Sequence, residues 1–317
     1  MRESTFSFWQ DAEFNALIDK PLTVEDDAYH PPREGETLEE SWLFEILTPD
    51  HLYFRVAFTL SNMSSSPPAY HKLAWWVGGE KNTESIEVGP QDFTASTERC
   101  QLKIGPSRAE YTGNKYSLYL ESTRVTGELE FFPLLAGWQP GIGRVAYGDQ
   151  GLRYIYWQVP VPRASVQGEV SLEGKRYKIE GIGYHDHRRC NFPLPEALEG
   201  ARIIRFYTDE YTLLAADFWG NLLYSRRHIQ ALYLAKGSEM KLSTSKVESN
   251  LVDTQGSSSL ELRTGTDPMV TFKLNTTHLL GEKGSFRVER GSGFLRLATT
   301  PEEESQGWGV LETFIIG

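Results

Sequence analysis

A histidine-containing segment near the middle of the chain holds the residue types most suited to acid–base chemistry. Residues 181–190 read Gly-Ile-Gly-Tyr-His-Asp-His-Arg-Arg-Cys. Imidazoles titrate near neutral pH and a neighbouring carboxylate tunes them, so His185 and His187 beside Asp186 suit general acid–base catalysis. One alternative is a buried polar network in which Asp186 pairs with one of the two following arginines. The other is an H-x-H pair of metal ligands. No third histidine lies nearby in sequence, so we predict no metal site.

The alternation of side chains predicts where these histidines point. Residues 177–180 alternate apolar and polar side chains, which is the period-two pattern of a strand. If the apolar set faces a core, parity places Gly183, His185 and His187 on the inward face. Glycines beside the histidines are then expected to leave room for a ligand.

Two carboxylates occupy strand faces that should be apolar. Asp217 shares the parity of Trp219, and Glu45 shares the parity of the leucines two residues to either side of it. A buried carboxylate needs a partner or keeps its proton. We therefore predict that Asp217 donates a proton or a hydrogen bond to a substrate. The alternative for Asp217 is a salt bridge to Arg226 or Arg227.

Aromatic residues make up 12% of the chain, which suits strands and the wall of an apolar pocket. Aromatic faces also stabilise a developing cation. The predicted substrate-binding residues are Trp42, Glu45, Trp76, Arg189, Tyr207 and Trp219.

The elements that must position these residues are almost all strands. Alternation recurs along the chain, and turn residues follow at intervals of about 8–12 residues, as in sandwiches and barrels. Helical signals are confined to residues 8–18 and one turn at 195–198. We predict an all-β protein with two barrel or sandwich domains, 1–195 and 196–317, joined through residues 191–200.

Composition excludes several classes. The 317 residues carry 32 basic and 43 acidic side chains, a net charge of −11 that argues against nucleic acid or an anionic membrane as a partner. No window approaches the roughly 18 apolar residues of a membrane span. Cys100 and Cys190 lie too far apart to suggest structural zinc. The first residues do not resemble an export signal, so we expect a cytosolic protein.

The motif Gly-x-Gly-Tyr-His-Asp-His, ending at His187 and followed by a proline-bearing loop and Arg-Phe-Tyr207, resembles the carotenoid 1,2-hydratase (hydroxyneurosporene synthase) family. That superfamily is related to tocopherol cyclase and to the lipocalin-like Diels–Alderases. Glu40-Ser-Trp-Leu-Phe44 resembles the E-x-W-x-F strand of the same group. The resemblance implies two lipocalin-like barrels packed together, a ligand site near their junction, long apolar polyenes as ligands and no redox cofactor.

Two departures from that family stand out. The family continues Asp-His-Asn-Trp-Gly, whereas here Arg189 takes the place of the aromatic residue. A family Tyr-x-Asp corresponds to Ala215-Ala-Asp217, so the acid is kept and the tyrosine is lost. These departures weaken the hydratase interpretation and favour a relative with a remodelled pocket.

We predict a cofactor-independent cyclase or pericyclase that shapes an apolar polyene or terpenoid intermediate. Its polar groups would be Asp217, His185 and His187. A hydratase is the first alternative, with Asp217 as proton donor and His187 positioning water. A lipid-binding protein without catalysis is the second, because a barrel does not fix function.

Overall fold

The structure is a computed structural model that describes residues 6–7, 22–49, 52–63, 68–77, 80–148, 152–254, 257–265, 269–283, 286–298 and 303–316. The helix predicted at 8–18 lies outside these residues. Short 3₁₀ helices occupy Glu25–Asp27, Pro90–Asp92, Leu194–Glu196 and Leu222–Tyr224. None of the described helices has the length and apolar character that a membrane crossing requires.

The strands account for nearly all regular structure, as the alternation of side chains predicts. In the first half they are β1 (Phe6–Ser7), β2 (Glu39–Leu47), β3 (Tyr53–Ser61), β4 (Ala69–Val77), β5 (Glu80–Val88), β6 (Phe93–Ala95), β7 (Gln101–Ile104), β8 (Ser107–Tyr111), β9 (Tyr116–Glu121), β10 (Val125–Pro133) and β11 (Arg144–Tyr147). In the second half they are β12 (Arg153–Leu172), β13 (Lys175–Cys190), β14 (Leu198–Tyr207), β15 (Tyr211–Gly220), β16 (His228–Lys236), β17 (Glu239–Thr244), β18 (Val247–Thr254), β19 (Ser257–Thr264), β20 (Val270–Lys283), β21 (Phe286–Leu297) and β22 (Glu303–Ile315).

The chain divides into two compact units. The N-terminal unit contains residues 21–139 and 153–192, and the C-terminal unit contains residues 193–317 together with 140–152. The last change from one unit to the other along the chain, between residues 192 and 193, falls inside the segment predicted as a linker, 191–200. The division into domains 1–195 and 196–317 stays a prediction.

Both units use the same antiparallel topology. The N-terminal sheet has the order β5-β4-β3-β2-β13-β12-β10-β9-β8-β7-β6, and the C-terminal sheet has the order β17-β16-β15-β14-β22-β21-β20-β19-β18. In each, the first long strand pairs with the last, and the sheet opens between its fourth and fifth strands in chain order. Each sheet is therefore a nearly closed barrel, and the predicted all-β class is confirmed.

The interior of the N-terminal barrel holds an apolar core with histidines among it. Trp42 and Phe44 on β2 belong to this core. Across the β2–β13 ladder, His187 lies opposite Trp42 and His185 lies opposite Phe44. Because side chains directly opposite each other share a face, both histidines point inward, as their parity predicts.

Gly183 does not make room for a ligand. A Cβ at this position would lie 2.3 Å from Cγ2 of Val166 and 2.6 Å from the Phe131 ring. The space that the sequence suggests for a bound molecule is filled by these two core side chains. The glycine is needed here for close packing of β13 against its neighbours.

Candidate functional site

A buried network of carboxylates and histidines lies within the N-terminal barrel. We call Asp27, His30, Glu40, His185 and His187 the carboxylate–histidine network. The 3₁₀ helix Glu25–Asp27 brings the Asp27 carboxylate to the histidines of β13, although the two lie 158 positions apart in sequence. The network therefore depends on the tertiary fold and not on any local motif.

Asp27 anchors the first half of the network. Its carboxylate oxygens lie 3.2 and 3.1 Å from Nε2 of His185. The Tyr116 hydroxyl donates a hydrogen bond to the same carboxylate at 2.9 Å. The Trp42 indole donates to the Asp27 backbone carbonyl at 3.0 Å. These contacts tie the 3₁₀ segment to strands β2, β9 and β13.

Glu40 anchors the second half. Its Oε1 lies 2.8 Å from Nε2 of His187 and 3.0 Å from Nδ1 of His30. The backbone N–H of His30 also donates to both Glu40 oxygens, at 3.3 and 3.1 Å. The guanidinium of Arg189 lies 3.9 Å from Oε1. Four nitrogen atoms thus converge on one carboxylate oxygen.

The surroundings of Glu40 favour its charged form. Burial alone would raise the pKa of this carboxyl group. Hydrogen bonds to His187 and His30, together with the charges of His187 and Arg189, outweigh that effect and hold the pKa below its ordinary value. Glu40 is therefore a carboxylate at neutral pH.

Asp27 raises the pKa of two neighbouring groups, in contrast to the lowered pKa of Glu40. Burial, followed by the proximity of Asp27, raises the pKa of the Cys100 thiol well above its ordinary value. The same causes raise the pKa of the Tyr116 hydroxyl. Both groups remain protonated at neutral pH, so Cys100 is no nucleophile in this environment.

The two predicted histidines have both ring nitrogens engaged by protein groups. His185 donates from Nδ1 to the Leu43 carbonyl at 2.9 Å and faces Asp27 with Nε2. His187 places Nδ1 3.2 Å from the Asp26 carbonyl and Nε2 against Glu40. Both side chains are wholly buried. Neither ring therefore presents a hydrogen-bonding atom to an organic substrate.

Aromatic rings pack along the histidines. His185 stacks on Phe44 with centroids 3.9 Å apart, and His187 stacks on Trp42 at 4.5 Å. Farther along the same layer, His71 stacks on Phe58 at 5.9 Å. Neither ring nitrogen of His71 has a hydrogen-bond partner among the described residues, and burial lowers its pKa to about 4. His71 is accordingly a neutral core residue at physiological pH.

An apolar cleft of about 350 Å³ opens at the mouth of the N-terminal barrel. Tyr29, Leu38, Leu60, Met63 and Phe93 contribute to its wall. Leu60 lies directly opposite Glu40 in the β2–β3 ladder, and Tyr29 precedes His30 in the chain. The Glu40 half of the network therefore lies next to this cleft.

Two of the predicted wall residues come together on the other face of β2. The Tyr53 hydroxyl donates to Oε1 of Glu45 at 2.7 Å, and its ring packs 4.8 Å from Trp76. Arg55 lies 3.5 Å from the same carboxylate oxygen. Glu45 has the opposite parity to Trp42, so the Glu45–Trp76 group lies apart from the carboxylate–histidine network.

Tyr184, Asp186 and Arg188 face the same side as Glu45, because Tyr184 lies directly opposite Glu45 in the β2–β13 ladder. Arg188 makes two hydrogen bonds to Asp186, at 2.9 and 2.6 Å, and the Tyr184 hydroxyl donates at 2.8 Å. The ion-pair alternative for Asp186 is thus what the structure shows, with Arg188 as the partner. Arg189 instead covers the ring of Tyr156 at 4.3 Å.

In the C-terminal unit, Asp217 forms a second group with His228. Nδ1 of His228 lies 2.8 Å from Asp217 Oδ1, and Arg202 lies 3.7 Å from Oδ2. The alternative for Asp217 was a salt bridge to Arg226 or Arg227, and the structure pairs Arg226 with Glu199 instead, at 2.7 Å. Arg202 takes this role because it lies directly opposite Asp217 in the β14–β15 ladder.

His228 is the accessible member of this group. Its side chain is 49% exposed, whereas that of Asp217 is 5% exposed. The hydrogen bond to Asp217 is the main cause that raises the pKa of His228, while burial and the charge of Arg202 act against it. Trp219 packs beside the imidazole at 5.9 Å. When protonated, this half-exposed ring beside an aromatic neighbour can donate a hydrogen bond to a ligand.

Tyr207 does not join the Asp217 group. It packs against Trp308 at a centroid distance of 5.3 Å and is buried. Of the predicted residues in this unit, the structure brings together Asp217 and Trp219.

Several members of these groups are missing from the sequence prediction. The role of Glu40 could be predicted from the sequence, since it shares the parity of Trp42 and Phe44 on β2. The roles of Asp27, His30 and His228 could not be predicted, because the fold alone brings each of them to its partners.

Among the described residues, two groups bring three metal-ligating atoms within 4.8 Å of one another. They are Asp27 with Cys100 and His185, and His30 with Glu40 and His187. The first group contains a thiol that burial keeps protonated. The second supplies two imidazoles and a carboxylate.

Comparison with known proteins identifies the relatives of this chain. The sequence profile of the Diels-Alderase-like family matches residues 118–278, which is half of the chain and includes both His185 and Asp217. The chain belongs to the Diels-Alderase-like family. The resemblance to the superfamily that includes the lipocalin-like Diels–Alderases, predicted from the sequence, is confirmed.

Individual relatives are more distant. The chain is 26% identical over 91 residues to Diels-Alderase pyiF of Pyricularia grisea, a match that covers 29% of this chain and 22% of the relative. The structure of CghA with Sch210972 aligns with a TM-score of 0.65 and 13% identity, over 98% of this chain and 99% of that one. Kievitone hydratase from Nectria haematococca aligns with a TM-score of 0.62 and 12% identity, over 99% and 96%. The structural matches show the fold alone and confirm the lipocalin-like barrels.

Proposed function

We propose that this protein is a cofactor-independent pericyclase that folds a flexible, apolar polyene into the conformer that undergoes an intramolecular cycloaddition. Membership of the Diels-Alderase-like family is the observation that carries this proposal. Holding a diene and an alkene in contact removes much of the entropic barrier to such a reaction.

His228 is the proposed hydrogen-bond donor. An electron-poor alkene conjugated with a carbonyl reacts faster when the carbonyl oxygen accepts a hydrogen bond, because negative charge grows there in the transition state. The His228 ring is half exposed and its pKa is raised by Asp217, so its imidazolium form is available for this purpose. Trp219 offers an apolar face beside it.

Asp217 is then a positioning residue that holds His228 in its orientation and charge state. This assignment adapts the predicted acid role of Asp217, since the carboxylate is almost wholly buried and acts through the imidazole. We propose the same kind of positioning role for His185 and His187, whose ring nitrogens all face protein groups.

The test is turnover of a linear substrate that carries a conjugated diene tethered to an alkene next to a carbonyl. A pericyclase gives a cyclic product of unchanged mass, with a stereoisomer ratio that differs from the spontaneous reaction. We expect His228→Gln to lower the rate at least about tenfold. The matched control is Arg226→Ala, at an exposed position two residues away whose side chain bonds Glu199. Wild-type protein that leaves the spontaneous rate and isomer ratio unchanged would contradict the proposal.

A hydratase is the second candidate. The kievitone hydratase likeness and the acid–histidine pair Asp217–His228 favour it, because a protonated imidazole can also protonate an alkene. Mass spectrometry of the product separates the two activities, since hydration adds the mass of one water and cycloaddition adds none. An apolar molecule that co-purifies without conversion would instead support a binding protein.

A further inference from the structure

In the Glu40 half of the carboxylate–histidine network, two imidazole nitrogens face one buried carboxylate oxygen. Nδ1 of His187 faces two acceptors, the Asp26 carbonyl at 3.2 Å and the Asp27 carboxylate at 3.5 Å. An acceptor requires a donor opposite it, so Nδ1 carries a proton, and Nε2 is the nitrogen that faces Glu40 Oε1, at 2.8 Å. A positive species, either a proton on Nε2 or a metal ion, must lie between these two atoms.

A third ligand atom converges on the same point. Nδ1 of His30 lies 3.0 Å from the same oxygen, and the three ligand atoms lie within 4.8 Å of one another. One proton on each imidazole would bridge the two pairs separately, whereas a metal ion at the centre would bind all three atoms at once. The backbone carbonyl that accepts from Nδ1 of His187 is the kind of outer partner that metal-ligating histidines use.

We propose that His30, Glu40 and His187 bind one divalent cation of the zinc class. Two imidazoles and one carboxylate form a common zinc ligand set. Tetrahedral zinc with bonds of about 2.0–2.1 Å separates its ligand atoms by about 3.3 Å, so the two nitrogen–oxygen distances of 2.8 and 3.0 Å need to widen by only a few tenths of an ångström.

The proposed metal site is open to solvent on one side, and a bound ion would connect three parts of the N-terminal barrel. The His30 side chain is 35% exposed, whereas Glu40 and His187 are wholly buried, so water reaches the ion from the His30 side as a fourth ligand. The ion would tie the segment after the 3₁₀ helix to β2 and β13 at the mouth of the barrel. This proposal does not rest on the proposed pericyclase activity, and its test needs no substrate.

The experiment uses the full chain after treatment with a chelator and removal of the chelator. Calorimetric titration with Zn²⁺ should give one ion per chain, and Co²⁺ should give the visible absorption of a tetrahedral site. Binding should raise the Tm. Affinity should fall as the pH drops below about 6.5, where free imidazoles protonate.

Variants separate a built site from adventitious binding. His30→Ala should weaken Zn²⁺ binding by more than the roughly 10–100-fold that loss of an outer partner causes. His30→Cys should restore binding and add a thiolate-to-cobalt charge-transfer band in the near ultraviolet. His228→Ala, at a carboxylate–histidine pair in the other unit, should bind Zn²⁺ as the wild type does.

Three results would overturn the proposal. They are the absence of saturable Zn²⁺ or Co²⁺ binding by the wild type, unchanged binding in His30→Ala, and no charge-transfer band in His30→Cys. Any of these would leave a proton-bridged imidazolium–carboxylate pair as the state of the network. Circular dichroism verifies that each variant is folded, and the partly exposed position of His30 favours that outcome.

Discussion

The two barrels of this protein each bury a carboxylate beside a histidine, but they treat the pair differently. In the N-terminal unit both side chains of the Glu40–His187 pair are 0% exposed. In the C-terminal unit Asp217 is 5% exposed and His228 is 49% exposed. The first pair is sealed within the barrel, whereas the second presents its imidazole to the surroundings.

Because of this difference in exposure, the sealed pair suits a structural role and the open pair suits contact with a substrate. A sealed pair must satisfy every polar atom internally, because water cannot do so. His187 meets this demand with Asp26 and Glu40. An open pair needs only one internal partner, and among the described residues none bonds the other ring nitrogen of His228. The accessible pair is therefore the better candidate for contact with a substrate.

The largest effect is expected from breaking the sealed pair. Glu40→Ala removes the carboxylate on which His30, His187 and Arg189 converge and leaves positive charge buried without its partner. We expect a loss of about 3–5 kcal/mol in the free energy of unfolding, measured by denaturant titration.

The control for that variant is Glu180→Ala, which removes an exposed glutamate that pairs with Lys178 on β13. A fully exposed ion pair contributes little to stability because solvent screens it, so this change should be small. Equal losses in Glu40→Ala and Glu180→Ala would mean that the network does not hold the N-terminal barrel together.

The next effect concerns the close packing behind His185. Gly183→Ala places a Cβ 2.3 Å from Val166 and 2.6 Å from Phe131, so the core must shift. We expect a loss of about 1–3 kcal/mol on denaturant unfolding. Gly265→Ala is the matched control, because a Cβ there meets nothing within 4 Å. If Gly183→Ala is as stable as the control, the space beside His185 is more adaptable than the packing indicates.

The sequence allowed much of the fold to be predicted, because alternation is a local property of a strand. It predicted the strands of both barrels and the inward direction of His185 and His187. It also singled out Asp217, since an acid in an apolar row stands out without knowledge of any partner. Each of these inferences used residues within a few positions of one another.

The partners could not be predicted, because they depend on which strands become neighbours. Asp27 meets His185 across 158 positions, and Arg202 meets Asp217 only through the β14–β15 register. Glu45 stands out in the sequence because it interrupts a row of leucines. Glu40 instead shares the parity of Trp42 and Phe44, so it faces the histidines inside the barrel. The glycines suggested a cavity, but distant side chains fill it.

A smaller effect tests the open pair through catalysis. Asp217→Asn keeps the shape of the side chain but removes the charge that raises the pKa of His228. We expect the rate of the proposed cycloaddition to fall about tenfold at neutral pH. The pH above which activity declines should also move to a lower value, because the imidazolium form is lost earlier. A rate loss without this displacement of the pH profile would point to a structural role alone.

The smallest effect is the contribution of His228 to stability. Its folded-state pKa is raised above the unfolded value, so the contribution is fully present below the unfolded value of about 6.5 and is lost as the pH rises through the folded value. Because the ring is half exposed, solvent screening keeps this contribution below about 1 kcal/mol. In denaturant titrations from pH 5 to 9, His228→Gln should remove this decrease on the alkaline side of the profile. His71 acts in the opposite direction: burial holds its folded-state pKa at about 4, below the unfolded value of about 6.5, so its effect on stability increases as the pH rises to about 6.5 and is constant above that value. If the pH dependence of the free energy of unfolding is unchanged in His228→Gln, Asp217 holds the imidazole without favouring its charged form. The sealed and the open pair would then differ only in their exposure to solvent.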